Sequence, residues 1–315
     1  MRDLRIVFMG TPDFAVGVLQ HLVENKKNIV AVLTAPDRPA GRGRKLRPSA
    51  VKLYAESKNI PVLQPTNLKN EDFVKELKSY NANLQIVVAF RMLPKIVWQL
   101  PDYGTFNLHA SLLPHYRGAA PINWAIINQE TKTGVTTFFI DEKIDTGAII
   151  LKDEVAIAER ETVGTLHDRL MTIGSHLVLK TVDLIEEAKV ETYAQPKTED
   201  FKEAPKLTSE NTKIDWSMPV AQIDALIRGL SPYPVAWCYL NQQDESQKIK
   251  IYASDFEETE TEGEIGALTC TKKTIKVTCK NGYLYIKELQ LPGKRKMETA
   301  ALLNGFSFAT DAKLT

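Results

Sequence analysis

An amide and an imidazole stand two residues apart at Asn107 and His109, within the segment 106–121. Side chains alternate between the two faces of a strand, so an extended segment here places both on one face. An amide N–H can stabilise an oxyanion formed from a carbonyl group, and an imidazole can carry a proton near neutral pH. The pair therefore suits acyl transfer, while two polar residues at a strand end are the simpler alternative.

A carboxylate that could assist this pair is Asp145, in the sequence Ile-Asp-Thr-Gly-Ala at 144–148. A carboxylate can stabilise an imidazolium or position a water. Asp before Thr-Gly also favours a turn. The tripeptide occurs in aspartic proteases too, but those need a second carboxylate from a duplicated lobe or a dimer. This chain shows one such tripeptide and no internal repeat, so the protease interpretation is set aside.

Several motifs in this order resemble those of folate-dependent formyltransferases. They are Ile-Val-Phe-Met-Gly-Thr-Pro at 6–12, Asn107-x-His109, Ser-Leu-Leu-Pro at 111–114, and Asp145. The resemblance covers the whole chain and is strongest to the branch that acts on methionyl-tRNA. It implies that Asn107, His109 and Asp145 are catalytic. It also implies that a loop faces the folate, formed by Ser111, Leu112, Leu113 and Pro114.

One segment departs from the pattern of that branch, which usually carries Ala-Tyr-Gly-x-Ile-Leu-Pro before the catalytic strand. Here the segment is Ala-Phe-Arg-Met-Leu-Pro at 89–94, which is shorter, and Arg91 replaces a small residue. It is similar to the corresponding segment of glycinamide ribonucleotide formyltransferase. Because the family loop meets the pterin largely through backbone groups, the resemblance still implies folate contacts at Phe90, Arg91 and Leu93.

The segment 36–49 is rich in Arg, Gly and Pro. Arginines separated by glycines can follow a phosphate backbone, although a run of charge is often only a solvated surface. The resemblance implies that Arg42, Arg44 and Lys45 lie at the acceptor end of a tRNA. A second basic cluster, Lys294-Arg295-Lys296, could contact the tRNA further away or form an exposed hairpin tip.

The composition bounds the class of protein. The chain has 315 residues, of which 43% are hydrophobic, enough for two domains with ordinary cores. Its 40 basic and 39 acidic side chains nearly cancel, so net charge gives no indication of a nucleic-acid partner. Three cysteines without a CxxC pair predict neither a disulfide framework nor a zinc site. Neither a signal peptide nor a membrane span is predicted, and we expect a cytoplasmic protein.

Strand and helix patterns alternate in the first half of the chain. Strands are predicted at 5–9, 28–34, 84–89, 105–108 and 135–140, and helices at 14–24, 50–58, 71–80 and 165–187. This alternation predicts an α/β domain with an open, mostly parallel, Rossmann-like sheet. The turn at Gly10 lacks the three-glycine fingerprint of dinucleotide-binding folds, so NAD is not predicted. Gly10 is expected to make a tight turn and to let the backbone approach a ligand.

The rest of the chain predicts a small β domain. A polar stretch at 190–207, with two prolines, is interpreted as a linker after a catalytic domain at 1–189. A helix is predicted at 214–230 and strands at 248–253, 263–269, 274–279 and 284–291, with a hairpin signal at Asn281-Gly282. The pattern suggests a small barrel at 208–315, and the family resemblance implies an OB-like, tRNA-binding one.

The expected function follows from the resemblance. The chain would transfer the formyl group of 10-formyltetrahydrofolate to the methionine amino group of initiator methionyl-tRNA, through a tetrahedral oxyanion. No metal and no membrane partner are expected, and the expected state is a monomer. The alternatives are a sugar-nucleotide N-formyltransferase, which would have no use for the basic loop, and a catalytically inactive RNA-binding protein of this fold.

Overall fold

The computed structural model describes residues 1–40, 45–196 and 200–315. In these ranges the helices are α1 (Asp13–Glu24), α2 (Ala50–Ser57), α3 (Glu71–Ser79), α4 (Lys95–Trp98), α5 (Pro121–Ile127), α6 (Val163–Glu186), α7 (Val220–Leu230) and α8 (Thr299–Leu303). The strands are β1 (Ile6–Gly10), β2 (Ile29–Leu33), β3 (Arg38–Ala40), β4 (Lys45–Arg47), β5 (Val62–Leu63), β6 (Leu84–Val88), β7 (Thr105–His109), β8 (Arg117–Gly118), β9 (Lys132–Phe139), β10 (Ile149–Ala156), β11 (Glu203–Ala204), β12 (Ala236–Gln242), β13 (Glu245–Glu258), β14 (Leu268–Cys270), β15 (Ile275–Cys279), β16 (Gly282–Gln290), β17 (Met297–Glu298) and β18 (Lys313–Leu314).

The first large sheet has the strand order β10-β9-β7-β6-β1-β2-β5. The strands from β7 to β5 pair in parallel, whereas β9 runs antiparallel to β7. Every residue of β1 and β6 is buried, and apart from Gln85 of β6 neither strand carries a polar side chain, as expected where both faces of a sheet are covered. The predicted α/β architecture with an open, mostly parallel sheet is confirmed.

Helix α1 packs closely against the end of β1. A Cβ atom at Gly10 would lie 2.5 Å from the Cβ of Ala15 in α1, closer than two non-bonded carbon atoms approach. Glycine at this position therefore allows the strand and helix to come together. This contact explains why position 10 requires a glycine, where the sequence predicted a tight turn.

The register of the sheet brings two functional segments to one edge. β6 and β7 are parallel neighbours, with Val88 paired to Leu108 at their carboxyl ends. The chain segments that follow these strands, 89–94 and 110–118, therefore leave the sheet at the same edge. Ligand sites of open parallel sheets form at this kind of edge.

The second large sheet forms a nearly closed barrel. Its order is β14-β15-β16-β13-β12-β18, with β17 paired to β16. An antiparallel bridge between Ala267, which precedes β14, and Lys313 of β18 brings the two ends of the sheet together. The interior holds a core that includes Ile223 and Ile227 of α7, Ile251, Val277 and Leu284, all almost fully buried. The predicted small β-barrel is confirmed.

The predicted helix at 214–230 is wrong in its first part, because α7 begins at Val220. Pro219 stands just before the helix, and proline in a helix interior would remove a backbone hydrogen bond and clash with the preceding turn. Upstream of it, Ser217 donates from its backbone N–H to Asp215 Oδ1 over 2.9 Å, which makes a turn. The predicted hairpin is present, but its two-residue loop is Lys280-Asn281, since Cys279 pairs with Gly282.

The chain forms two compact units that are not continuous in sequence. The first contains residues 1–118, 133–155 and 167–203, and the second contains residues 119–132, 156–166 and 204–315. Within the second unit α5 packs beside α7, where Asn123 Nδ2 donates to the carbonyl oxygen of Gly229 over 2.8 Å. Two pieces from the middle of the chain thus fold with the barrel.

Candidate active site

Strand β7 supplies the first two residues of the site. Phe106 and Leu108 are buried, and a Cβ at Gly174 of α6 would lie 2.8 Å from Leu108, so this face of the strand packs against the helix. By alternation, Asn107 and His109 lie on the opposite face. Asn107 is half-buried and His109 is 6% exposed. The strand therefore brings the amide and the imidazole together, as the spacing predicted.

The imidazole ring of His109 has a polar group at each nitrogen. Nε2 lies 2.7 Å from the carbonyl oxygen of Tyr116, which can only accept, so Nε2 carries a hydrogen and donates. Nδ1 lies 3.7 Å from Asp145 Oδ2, slightly beyond hydrogen-bond length. A ring protonated at both nitrogens would therefore have an acceptor for one N–H and a carboxylate facing the other. Both ring nitrogens therefore face an oxygen atom of the protein.

Asp145 is the carboxylate that faces this ring. Its Oδ2 accepts a hydrogen bond from the backbone N–H of Gly118 over 3.0 Å, and its side chain is 14% exposed. The residue has a φ angle of 54°, in the left-handed region that asparagine and aspartate tolerate better than most residues. The turn around Asp145 therefore sets the direction of its carboxylate.

Gly147 allows the same turn to pass close to β9. A Cβ at this residue would lie 1.7 Å from the carbonyl oxygen of Phe139, well inside the van der Waals limit. The backbone N–H of Phe139 donates to the carbonyl oxygen of Ala148 over 2.9 Å and fixes this approach. The turn that carries Asp145 towards His109 therefore requires a glycine at position 147.

Replacing Gly147 with alanine is expected to lower the free energy of unfolding by about 1–3 kcal/mol, because the new Cβ forces the turn away from Phe139. Thermal or urea unfolding of the full chain measures this loss. Gly305→Ala is the matched control, since among the described residues none except its chain neighbours comes within 4 Å of the added Cβ. Equal stability of Gly147→Ala and the unaltered chain would contradict the close approach described here.

The segment Ser-Leu-Leu-Pro at 111–114 is anchored by hydrogen bonds from side chains of β9 and β10. Ser111 and Leu113 are fully buried, and Thr136 Oγ1 donates to the Ser111 carbonyl over 2.6 Å. Lys152 Nζ donates to the Leu113 carbonyl, and burial lowers the pKa of this lysine below its ordinary value. Pro114 is buried as well, so of the four side chains only that of Leu112 is half-exposed. A ligand would meet this segment mainly through its backbone and Leu112, and through the edge of Pro114 that lines the neighbouring groove.

The atypical segment after β6 is anchored by its arginine. The guanidinium of Arg91 donates to the carbonyl oxygens of Pro65 and Thr66, and it lies 5.6 Å from the ring centroid of Phe90. Burial first, and then the charge of Arg38, lowers the pKa of Arg91. Leu93 is buried in the core of the first unit. The segment therefore has a defined shape despite its shortened sequence, and Phe90 and Pro94 are its half-buried side chains.

A groove of about 590 Å³ borders this site. It is lined by Pro114, Arg117, Asp141, Glu142, Lys143, Thr146, Gln195, Pro196 and Phe201. Pro114 belongs to the segment beside β7, and Thr146 follows Asp145. Sequence reasoning missed Arg117 and Gln195, because neither stands in a motif that identifies its role.

The basic residues predicted to bind tRNA are distributed as follows. Arg42 and Arg44 lie outside the described residues, as does the side chain of Lys45. The flanking β3 and β4 form an antiparallel ribbon in which Arg38 is paired with Arg47, and both are exposed. Like charges opposite each other destabilise a ribbon, and an anionic ligand would relieve this repulsion.

The second basic cluster lies between β16 and β17, where Lys294, Arg295 and Lys296 are all exposed. Lys296 pairs with Glu288 over 2.7 Å and lies 5.4 Å from the ring centroid of Tyr252. Its charge is therefore partly balanced, while Lys294 and Arg295 stand at the turn. The structure places this cluster at a hairpin connection, which is compatible with a ligand contact and with a plain exposed tip.

Over the described ranges, the helices include none of sufficient length and apolar character to cross a membrane. The same residues contain no group of three or more His, Cys, Asp or Glu side chains that could bind a metal ion. All three cysteines are free thiols, and Cys238 and Cys279 are buried.

Sequence comparison identifies relatives over the full length. Residues 4–182 match the family described as formyl transferase, and residues 206–307 match the formyl transferase C-terminal domain. The chain is 58% identical to the methionyl-tRNA formyltransferase of Flavobacterium johnsoniae over 314 residues, which cover 100% of both chains. The predicted resemblance is thus confirmed.

Solved structures share the fold at lower identity. HypX from Aquifex aeolicus in complex with tetrahydrofolic acid matches with a TM-score of 0.65 and 16% identity, over 96% of this chain and 47% of that one. An N-formyltransferase from Helicobacter canadensis in complex with folinic acid and dTDP-3-aminofucose matches with a TM-score of 0.65 and 21% identity, over 93% and 100%. At these identities the likeness concerns the fold alone.

Proposed function

Because this chain belongs to the formyl transferase family, we propose that it transfers the formyl group of 10-formyltetrahydrofolate to the methionine amino group of initiator methionyl-tRNA. The observation that carries this proposal is that His109, which shares a face of β7 with Asn107, has its Nδ1 3.7 Å from Asp145 Oδ2. Full-length relatives of the chain bear the name of this activity.

In the proposed reaction the methionine amine attacks the formyl carbon, and the carbonyl electrons move to oxygen. The side-chain amide of Asn107 donates a hydrogen bond to this oxyanion, and the positive charge of the His109 imidazolium stabilises it. Because Nε2 already donates to the Tyr116 carbonyl, Nδ1, on the side of Asp145, relays the proton. Collapse of the intermediate restores the carbonyl group and breaks the bond to the folate nitrogen, which receives the proton that the amine loses. Asp145 balances the charge of His109 throughout.

The folate would bind along the edge where β6 and β7 end. Its proposed contacts are the two segments that leave the sheet there, with Phe90, Arg91 and Leu93 in one and Ser111, Leu112, Leu113 and Pro114 in the other. Because Leu93, Ser111 and Leu113 have buried side chains, they would contribute backbone groups and the shape of the pocket. Because these contacts include none of the residues proposed to bind tRNA, reduced folate analogues should bind independently of tRNA.

The acceptor end of the tRNA would lie against the basic segment after β2. Arg42, Arg44 and Lys45 are the proposed phosphate contacts there, and Lys294, Arg295 and Lys296 those in the second basic cluster. We propose residues 1–189 as the catalytic domain, 190–207 as the linker and 208–315 as the tRNA-binding domain, with residues 119–132 and 156–166 of the first part packed in the unit of the barrel and most of the linker in the first unit. We also propose that the protein acts as a cytoplasmic monomer.

Replacing Arg42 and Arg44 together with alanine is expected to weaken methionyl-tRNA binding and leave folate binding unchanged. The slope of log affinity against log salt should fall by about 0.7 to 0.9 for each phosphate that the variant no longer neutralises. Binding of methionyl-tRNA across a salt series measures the slope, and a folate titration serves as the second readout.

Lys26→Ala with Lys58→Ala is the control for this experiment, because it removes two exposed positive charges that are not part of the basic segment. It should leave the salt slope unchanged. An unchanged slope in the Arg42→Ala, Arg44→Ala protein would show that the basic segment is only a solvated surface, and the sugar-nucleotide alternative would then gain support.

A further inference from the structure

We propose that Gln195 is a positioning residue that holds Asp145 in its working conformation. The inference rests on the proposed function, because Asp145 must take part in formyl transfer. Gln195 follows α6, in the polar stretch that the sequence indicated as a linker. This stretch is attached to the first unit, since Tyr193 and Ile149 exchange two backbone hydrogen bonds of 2.9 and 3.1 Å. The side chain of Gln195 therefore starts from a fixed backbone.

The amide of Gln195 clamps the turn that carries Asp145. Its Nε2 donates to the carbonyl oxygen of Asp145 over 2.8 Å and to that of Gly147 over 3.0 Å. A side-chain amide has two N–H groups, so it can make both bonds at once. The two accepting carbonyls lie on either side of Thr146. One side chain thus ties together both ends of the turn.

Arg117 fixes the orientation of this amide. The guanidinium of Arg117 donates to Gln195 Oε1 over 2.6 Å. The guanidinium can only donate, and it faces the amide oxygen. The two backbone carbonyls can only accept, and they face the amide nitrogen, so the partners fix which way the amide is turned. Arg117 itself lies 5.2 Å from the ring centroid of Phe201, at a distance where a cation and an aromatic face attract. The amide is therefore held from both sides.

The clamp matters because the backbone of Asp145 is in an uncommon conformation. A φ angle of 54° in a residue other than glycine persists when its surroundings impose it. The direction of the carboxylate toward Gly118 and His109 follows from that backbone angle. Without the amide of Gln195, two carbonyl groups lose their donor and the turn can relax, which would move the carboxylate away from His109.

The test compares Gln195→Ala and Gln195→Glu in the full chain. Glutamate keeps the length of the side chain and an acceptor for Arg117, but it has no N–H for the two carbonyls. Both variants should lower kcat by about 10- to 30-fold, the effect of two missing hydrogen bonds, while KM for methionyl-tRNA stays within about twofold. Gln20→Ala, on the exposed side of α1, is the matched control and should keep full activity.

A double-mutant cycle separates this role from a general contribution to folding. In the Asp145→Ala background, the further change Gln195→Ala should alter kcat by less than about twofold, because the clamp acts through the missing carboxylate. An equal fold-loss with and without Asp145, or normal kcat in Gln195→Glu, would overturn the inference. If Gln195→Ala does not fold, Gln195→Glu in both backgrounds completes the cycle.

The same series distinguishes failure of this inference from failure of the proposed function. A slow Asp145→Ala protein beside fully active Gln195 variants would refute the positioning role alone. A normal kcat in Asp145→Ala would refute the catalytic role of that carboxylate, and the inference with it.

Discussion

Asn107→Ala is expected to lower kcat for formyl transfer by about 100- to 1,000-fold, the loss typical of removing one donor from an oxyanion site. The amide lies on the same face of β7 as His109 and is half-buried, so its removal takes away a hydrogen bond without opening a cavity in the core. Folate affinity and Tm should change little. Single-turnover formylation with saturating methionyl-tRNA measures the effect on the chemical step.

Asn304→Ala provides the comparison for this variant, since Asn304 is an exposed asparagine at the end of α8. It should retain the kcat of the unaltered chain. A turnover in Asn107→Ala within about threefold of normal would fall far outside the range for an oxyanion donor and would remove Asn107 from the proposed mechanism.

Asp145→Asn is expected to lower kcat by about 1,000- to 10,000-fold. Losses of this order occur in serine proteases when the aspartate beside the catalytic histidine is replaced by asparagine. Asparagine keeps the size of the side chain and can still accept from the Gly118 N–H, so the turn should remain folded. The variant removes the negative charge 3.7 Å from His109 Nδ1. Steady-state kinetics with both substrates and a thermal unfolding curve measure the two effects separately.

The exposed Asp153 of β10 offers a control, and Asp153→Asn should have normal turnover. If Asp145→Asn were nearly as active as the unaltered chain, the charge of the carboxylate would have no part in catalysis. His109 would then have to act without an anionic partner.

The sequence was sufficient for the parts of the site that depend on local periodicity. Alternation along β7 placed Asn107 and His109 on one face, and the alternation of strands and helices predicted the parallel sheet. The closeness of Asp145 to His109 could not follow from spacing, because it depends on a turn with a left-handed residue and a glycine pressed against Phe139. Only the family resemblance pointed to Asp145.

Other features needed the three-dimensional structure for similar reasons. Gln195 reaches the Asp145 turn from a stretch whose sequence is polar and irregular, and no local pattern distinguishes it from a solvated linker. The helix predicted at 214–230 followed the apolar periodicity, but the backbone restriction of Pro219 moved its start to Val220. The closure of the barrel depends on a bridge between Ala267 and Lys313, far apart in sequence.

The central claim is that the site formylates methionyl-tRNA, and a competition between acceptors tests it most directly. The full chain is incubated with 10-formyltetrahydrofolate labelled in the formyl group, together with methionyl-tRNA and an amino-sugar nucleotide at equal concentration. The account predicts label on the methionine amino group of the tRNA, at a rate that Asn107→Ala and Asp145→Asn reduce strongly. Label on the amino sugar in preference to the tRNA, or no transfer to either acceptor, would contradict it.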